Sequence, residues 1–345
     1  MKKKSRTKHL TILLCIFISY TGLAQEDESV ETKKKFSFSG SADVYFRQNI
    51  NGPNGDNAIA PNTSFANQNG FAIGMANAII SYEGKKVGAV VDLVYGPRGA
   101  DAVFESSPSA NIVNQLYVYW NVSDKLTLTL GNFNTFLGYE VISPVGNFNY
   151  STSYMFSYGP FSHTGIKMDY VISDDWSFLL AAMNDNDLTE FNPTNNYTFG
   201  AQIGFKGTYL NFLYGPQFQI DLTTGFDLSD NFYLGANATY YDDDDGSFYG
   251  VALYPQYSIT DSFAVGLRGE YFGETDKGVG SIGKYDDTGK ANVFDLTLTG
   301  NYSIGNLMII PEFRLDSASE NTFMDTNLDP TKSLTSFLVA AVYKF

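Results

Sequence analysis

The chain has 345 residues with 37 acidic against 22 basic side chains, a formal net charge of −15, and an aromatic content of 16% made of 24 Tyr, 28 Phe and only 2 Trp. That excess of negative charge excludes nucleic acid as a natural partner, which needs basic patches to neutralise phosphate. A single cysteine, Cys15, excludes a disulfide-stapled scaffold.

The amino terminus reads as an export signal. Lys2, Lys3, Lys4, Arg6 and Lys8 precede an apolar run from Leu10 to Ser19, and the small residues Gly22 and Ala24 stand before Gln25. This is the order of a secretory signal peptide, predicted over residues 1–24, and its apolar run is about half the roughly 20 residues that a spanning helix needs. Its removal leaves 17 basic against 37 acidic residues, a net charge of −20, and takes Cys15 with it. Residues 25–35 are a charged lead-in too polar to bury much surface.

From Phe36 onward the pattern is that of strands. Phe36, Phe38, Gly40, Ala42, Val44 and Phe46 alternate with Ser37, Ser39, Ser41, Asp43 and Arg47, which places apolar and polar residues on opposite faces. Similar alternation recurs over Val87 to Tyr95, Ile166 to Ile172, Phe218 to Leu222, Phe263 to Tyr271, Phe294 to Tyr302 and Leu307 to Leu315. Residues 70–82 alternate poorly, and a one-residue slip there would exchange the two faces. A short turn repeats as Val122-Ser-Asp-Lys-Leu126, Ile172-Ser-Asp-Asp-Trp176, Leu228-Ser-Asp-Asn-Phe232 and Ile259-Thr-Asp-Ser-Phe263. Ser, Thr and Asp side chains fold back on local backbone, so these are predicted hairpin turns. Glu83 to Lys86, Lys206 to Thr208 and Ser303 to Asn306 take the same place in the pattern. The intervening connections at 48–69, 96–111, 131–162, 185–198, 241–247, 273–292 and 316–333 are polar and mostly long, with a tight one at 215–217.

Seven short turns join fourteen strands, and a first strand from Phe36 and a last one to Phe345 bring the number to sixteen. The predicted fold is all-β, a transmembrane antiparallel up-and-down barrel over residues 36–345, with short turns in the periplasm and long loops outside the cell. No stretch after residue 24 has the length and apolarity of a spanning helix, so a membrane location requires a closed barrel. The last strand places Phe337, Val339, Ala341, Tyr343 and Phe345 on one face, and its aromatic terminus resembles the outer-membrane assembly signal, with Val339, Ala341, Tyr343 and Phe345 as the residues presented to the barrel assembly machinery.

Sixteen strands enclose an aqueous channel. The inward positions carry Asp43, Asp92, Asp169, Asp221, Glu270, Asp295 and Glu312 against Arg47, Lys167, Arg268 and Arg314. The third long loop holds Gly131, Phe133, Thr135, Gly138 and Glu140, then Asn149-Tyr-Ser-Thr-Ser153 and Thr164-Gly165. With the turn pattern and terminal Phe345, these residues resemble the putative β-barrel porin 2 family of Bacteroidota-type outer membranes over nearly all of the mature chain. The resemblance implies a bacterial outer-membrane barrel but transfers no solute. By analogy with general porins, the third loop is expected to enter the lumen and narrow it, and a homotrimer is a further expectation.

The expected function is passive diffusion of small hydrophilic solutes, with a weak cation preference, since an anion pore should show a basic excess. The candidate constriction sets Glu140 against Arg47, Arg268 and Arg314 across the channel as a transverse field, which predicts a larger selectivity change for Glu140→Gln than for Asp295→Asn. Outer-membrane lipids are the expected surroundings, and no cofactor is called for. Two other classes stay open. A surface-binding or adhesin barrel would use Tyr150, Tyr154, Phe156, Tyr158 and Phe161. A lipid hydrolase would need His163, the one histidine of the mature chain, but adjacent Ser162 points to the other side of an extended segment and makes a poor nucleophile pair. The run Asp242 to Asp245 lacks the ligand spacing of a calcium loop and reads as a solvated tip.

Overall fold

A computed structural model describes residues 35–345, so the predicted signal peptide and all but the last residue of the lead-in lie outside the described residues. Sixteen antiparallel strands form one closed barrel in sequence order. They are β1 (Lys35–Asn49), β2 (Gly70–Glu83), β3 (Val87–Tyr95), β4 (Val113–Ser123), β5 (Leu126–Asn134), β6 (Ser162–Val171), β7 (Trp176–Asn184), β8 (Tyr197–Phe205), β9 (Thr208–Tyr214), β10 (Phe218–Asp227), β11 (Phe232–Asp242), β12 (Ser247–Thr260), β13 (Phe263–Thr275), β14 (Ala291–Ile304), β15 (Leu307–Ala318) and, after a two-residue-per-strand hairpin β16 (Phe323–Met324) and β17 (Pro330–Thr331), the closing strand β18 (Ser333–Lys344). Two short helices, α1 (Pro97–Ala102) and α2 (Tyr154–Tyr158), lie in loops.

All seven short turns fall where the sequence puts them. In the four repeated turns the hydroxyl does the folding back: Ser123, Ser173, Ser229 and Thr260 each accept backbone N–H groups two or three residues on, at 3.0–3.4 Å. The connections at the other end are loops L1 (50–69), L2 (96–112), L3 (135–161), L4 (185–196), L5 (215–217), L6 (243–246), L7 (276–290) and L8 (319–332).

Outward positions are apolar and exposed around the whole wall, among them Phe36, Val118, Leu180, Phe199, Leu222, Val251, Leu298 and Phe337. In lipid that face is the favourable one, while the closed ladder leaves no strand edge unpaired. The seam between β1 and β18 runs from Ser41 opposite Lys344 to Asn49 opposite Ser336. Beyond it, Gly40 and Phe345 exchange both backbone hydrogen bonds at 3.0 Å. The Phe345 ring lies over Gly40, where an added Cβ would meet it at 2.8 Å. Val339, Ala341 and Tyr343 share the outward face with Phe345, as their alternation requires.

The weak alternation of residues 70–82 has a structural cause. Ala42 pairs with Ala76 while Val44 pairs with Ile73, so Gly74 and Met75 together oppose Asp43 in a β-bulge. Both bulge residues are buried, which breaks the period of two. Met75 donates its N–H to Asp43 Oδ1 at 3.0 Å, and a Cβ on Gly74 would lie 1.6 Å from Asp43 Oδ2.

Candidate lumen site

The wall of β13, β14 and β15 carries charge in rows. Glu270, Asp295 and Asp316 stand directly opposite one another across the three strands, and two residues along, Arg268, Thr297 and Arg314 do the same. The period of two turns these sets inward together. Like charges side by side are costly, so the rows need partners of opposite sign. Arg268 Nε donates to Asp295 at 2.6 Å, and Arg314 donates to Asp316 at 2.8 Å with Asp295 a further 3.7 Å away. All five of these charged side chains are buried.

What covers them is L3. It meets the barrel wall on most of its circumference. Near its start, Phe136 and Leu137 lie with Phe133 against the inward apolar side chains Leu179, Met183 and Leu213 of β7 and β9. Gly138 N–H then donates to Asp221 of β10 at 3.0 Å, and Tyr139 stacks on Tyr254 of β12 with ring centres 4.1 Å apart. Glu140 pairs with Arg268 at 2.8 Å. Asn149 donates to Thr299 of β14 at 2.7 Å, Tyr150 Oη donates to Asp43 of β1, and Tyr154 Oη donates to Asp316 at 3.1 Å.

Between these points the wall grips the loop's main chain. The Glu312 carboxylate accepts the N–H groups of Tyr150 and Ser151 at 2.9 and 3.1 Å, and Glu270 accepts those of Tyr154 and Met155 at 2.8 Å each. Arg268 donates to Ser151 O at 2.6 Å and Arg314 to Thr152 O at 2.8 Å. From L2, Arg98 of α1 donates to Ile142 O and Tyr150 O at 2.8 and 3.2 Å, with its guanidinium 4.4 Å from the Phe65 ring centre of L1. Buried polar groups have to be satisfied, and here loop amides and wall charges satisfy each other.

The wall is also hollowed to receive loop side chains. A Cβ on Gly200 would meet Phe136 at 2.6 Å, on Gly235 Tyr139 at 2.3 Å, on Gly250 Met155 at 2.5 Å, and on Gly266 Phe148 at 2.5 Å. Glycine there lets a bulky loop residue approach the backbone. Gly131 and Gly165, opposite each other on β5 and β6, leave no room for a Cβ either, with Leu116 O at 2.2 Å and Ala182 O at 2.4 Å.

Every strand of the barrel presents a buried inward side chain: Asp43, Asn77, Asp92, Asn114, Asn132, His163, Met183, Thr198, Asn211, Asp221, Asn237, Tyr254, Arg268, Thr297, Arg314 and Leu338. Other inward side chains are less covered. Lys167 and Asp169 form an ion pair at 3.1 Å with side chains 23% and 38% exposed, Asn121 is half-buried, and Gln202, Tyr233 and Gln256 are half-buried although each touches Phe136 or Tyr139 of L3.

The sequence-predicted constriction residues are all lumenal. Glu140 pairs directly with Arg268, and Asp295 pairs with the same guanidinium. Arg314 lies beside them, while Arg47 donates to Asn49 Oδ1 at 2.9 Å and Ile59 O at 3.2 Å, holding L1. Sequence reasoning missed Arg98. The available signal was that only four arginines follow residue 34, at 47, 98, 268 and 314, and all four donate to a loop carbonyl. Of the five aromatic residues considered for surface binding, Tyr150, Tyr154, Phe156 and Phe161 are buried, while Tyr158 is half-buried and donates its Oη to Asn62 O of L1 at 2.9 Å. His163 is buried too, its Nε2 3.0 Å from Thr135 Oγ1. In L6, Asp243 Oδ1 accepts the N–H groups of Asp245 and Gly246, and no cluster of metal-ligating side chains occurs among the described residues.

Comparison with known proteins agrees with this architecture. Residues 35–345 match the sequence model of the family described as Putative beta-barrel porin-2, OmpL-like. No curated protein matches the chain in sequence. Among solved structures, the trimer form of in-vitro folded OmpT, an outer membrane protein of Vibrio cholerae, superimposes with a TM-score of 0.55 at 10% identity, covering 90% of this chain and 99% of that one. The high-pH structure of Pseudomonas putida OprB gives 0.53 at 11% identity, covering 90% and 94%. At such identities the likeness is one of fold.

Proposed function

The chain belongs to the Putative beta-barrel porin-2, OmpL-like family of the bacterial outer membrane, and from that premise we propose that it passes small hydrophilic solutes by passive diffusion, with L3 as the element that closes and opens the path. One observation carries this reading: L3 touches inward side chains on every strand from β7 to β15 and on β1, and each of the sixteen strands carries a buried inward side chain. A wall of sixteen strands encloses an aqueous channel when nothing fills it. The filler is a loop held by directional contacts, so passage requires L3 to leave the β13–β15 wall. Diffusion then needs no catalytic step and no cofactor. The net negative charge of the chain favours cations over anions. A trimer of barrels, the form in which OmpT is described, is part of the same proposal.

The test is a tether. Asn149→Cys with Thr299→Cys replaces a side-chain pair in hydrogen-bond contact by a reducible cross-link. In planar bilayers the reduced barrel should show single-channel steps and a cation-leaning reversal potential under a salt gradient, and oxidation should abolish the steps. Equal currents in both redox states would remove L3 from the role.

A further inference from the structure

We propose that the charged wall of β13–β15 is a binding site for short peptides, and that residues 149–155 of L3 occupy it as an internal stand-in. The proposal rests on the porin reading, since a solute reaches this wall only when L3 is displaced. What the wall holds now is peptide main chain. Glu312 takes two consecutive N–H groups, Arg268 and Arg314 donate to two consecutive carbonyls, and Glu270 takes two more N–H groups three residues further on. Carboxylate, guanidinium and carboxylate thus follow the donor and acceptor order of an amide chain. A sugar can offer adjacent O–H donors to a carboxylate, but it has no carbonyl series alternating with them to meet Arg268 and Arg314.

Side chains in the middle of the segment are hardly read by the wall. Thr152 Oγ1 donates to Ser64 O of L1, Ser153 Oγ donates to Glu140 of L3 itself, and Ser151 Oγ meets Arg268 only at 3.4 Å. Recognition through backbone there tolerates sequence, whereas Tyr154 Oη on Asp316 and Met155 in the recess of Gly250 define one end. Withdrawal of L3 opens these charges to lumen water, and a ligand with the same groups in the same order takes the place of the loop.

The probe is the capped heptapeptide acetyl-Asn-Tyr-Ser-Thr-Ser-Tyr-Met-amide, with a second version N-methylated at its last two residues. The protein is the full barrel carrying Arg98→Ala and Tyr150→Ala, which loosens L3 and keeps the four wall residues. Gly250→Val, which expels Met155 from its recess, serves as an independent opening variant. Calorimetry on the folded barrel measures binding, and single-channel recording measures block. Binding and block by the parent peptide, weakened about tenfold or more by N-methylation through loss of hydrogen bonds to a charged group, is the expected result. A barrel that conducts but binds neither peptide, or binds both equally, overturns the peptide site and leaves the porin reading standing. A barrel that binds the parent peptide selectively but carries no current overturns the porin reading alone. Neither binding nor current in both variants overturns both.

Discussion

L3 rests on two walls of opposite character. On β7 and β9 it meets Leu179, Met183 and Leu213 with Phe136 and Leu137, an apolar contact that is non-directional and survives small shifts. On β13–β15 it meets Arg268, Glu270, Glu312 and Arg314 through hydrogen bonds of 2.6–3.1 Å, each fixed in angle and each leaving a buried charge if broken. The first wall can hold the base of the loop while it moves. The second holds its tip in one position or not at all, and this is the division a gate requires.

The strongest blow to the charged wall is Arg268→Ala. Glu140 and Asp295 both lose a buried partner, and breaking a buried pair from one side costs about 3–5 kcal/mol. The expected outcome is a large fall in urea stability together with an open, noisy channel. A stable and silent Arg268→Ala barrel would show that the ladder does not hold the loop. On the apolar wall, Leu213→Ala should cost about 2 kcal/mol, the low end for deleting a buried Leu, because the Phe136 and Leu137 side chains can settle into the space. Its current should stay near that of the parent. If Leu213→Ala opened the channel as widely as Arg268→Ala, the proposed division between the walls would fail.

A smaller test fills a recess. Gly200→Ala sets a methyl group 2.6 Å from the Phe136 ring tip, the far end of a side chain that can turn, so the cost should be about 1 kcal/mol. Single-channel dwell times should shorten slightly at unchanged conductance. A change in conductance itself would mean that Phe136 shapes the open path.

How far the sequence foretold this arrangement depended on whether the signal was local. The seven turns, the sixteen strands and the inward positions Asp43, Asp221, Glu270, Asp295 and Glu312 follow from alternation and from Ser-Asp or Gly at fixed places, so they were legible. Residues 70–82 were not, because the bulge at Gly74 and Met75 inserts a residue that period-two reading counts as error. Glu140 was singled out, yet its direct pairing with Arg268 joins positions 128 residues apart. The grip of Glu270 and Glu312 on loop N–H groups leaves no mark on the sequence at all, since every residue but proline supplies the same donor. The wall glycines at 200, 235, 250 and 266 are visible as glycines, but their purpose is set by loop side chains up to 118 residues away, at Gly266 and Phe148.

The subtlest expected effect lies at the far end of L3, where L4 clasps it. Asp187 accepts the N–H groups of Phe161 and Ser162 at 2.8 Å each. Burial pushes its carboxyl up to about 7, more than the two N–H donors pull it down, and the nearby Glu105 and Asp185 push in the same direction. An unfolded aspartate titrates at about 3.8, so between that value and about 7 the folded protein holds a proton that the unfolded chain has released. Stability therefore falls as pH rises through that window and levels off above it. The midpoint of thermal unfolding should drop from pH 5 to pH 8 in the parent barrel and drop less in Asp187→Asn, which keeps the acceptor oxygen and cannot ionise. Because the clasp touches neither the ladder nor the apolar wall, channel steps at the two pH values should keep their size, and only the fraction of time spent closed should change. An equal pH dependence in Asp187→Asn would place the titrating group elsewhere and free the L4 clasp from any part in closure.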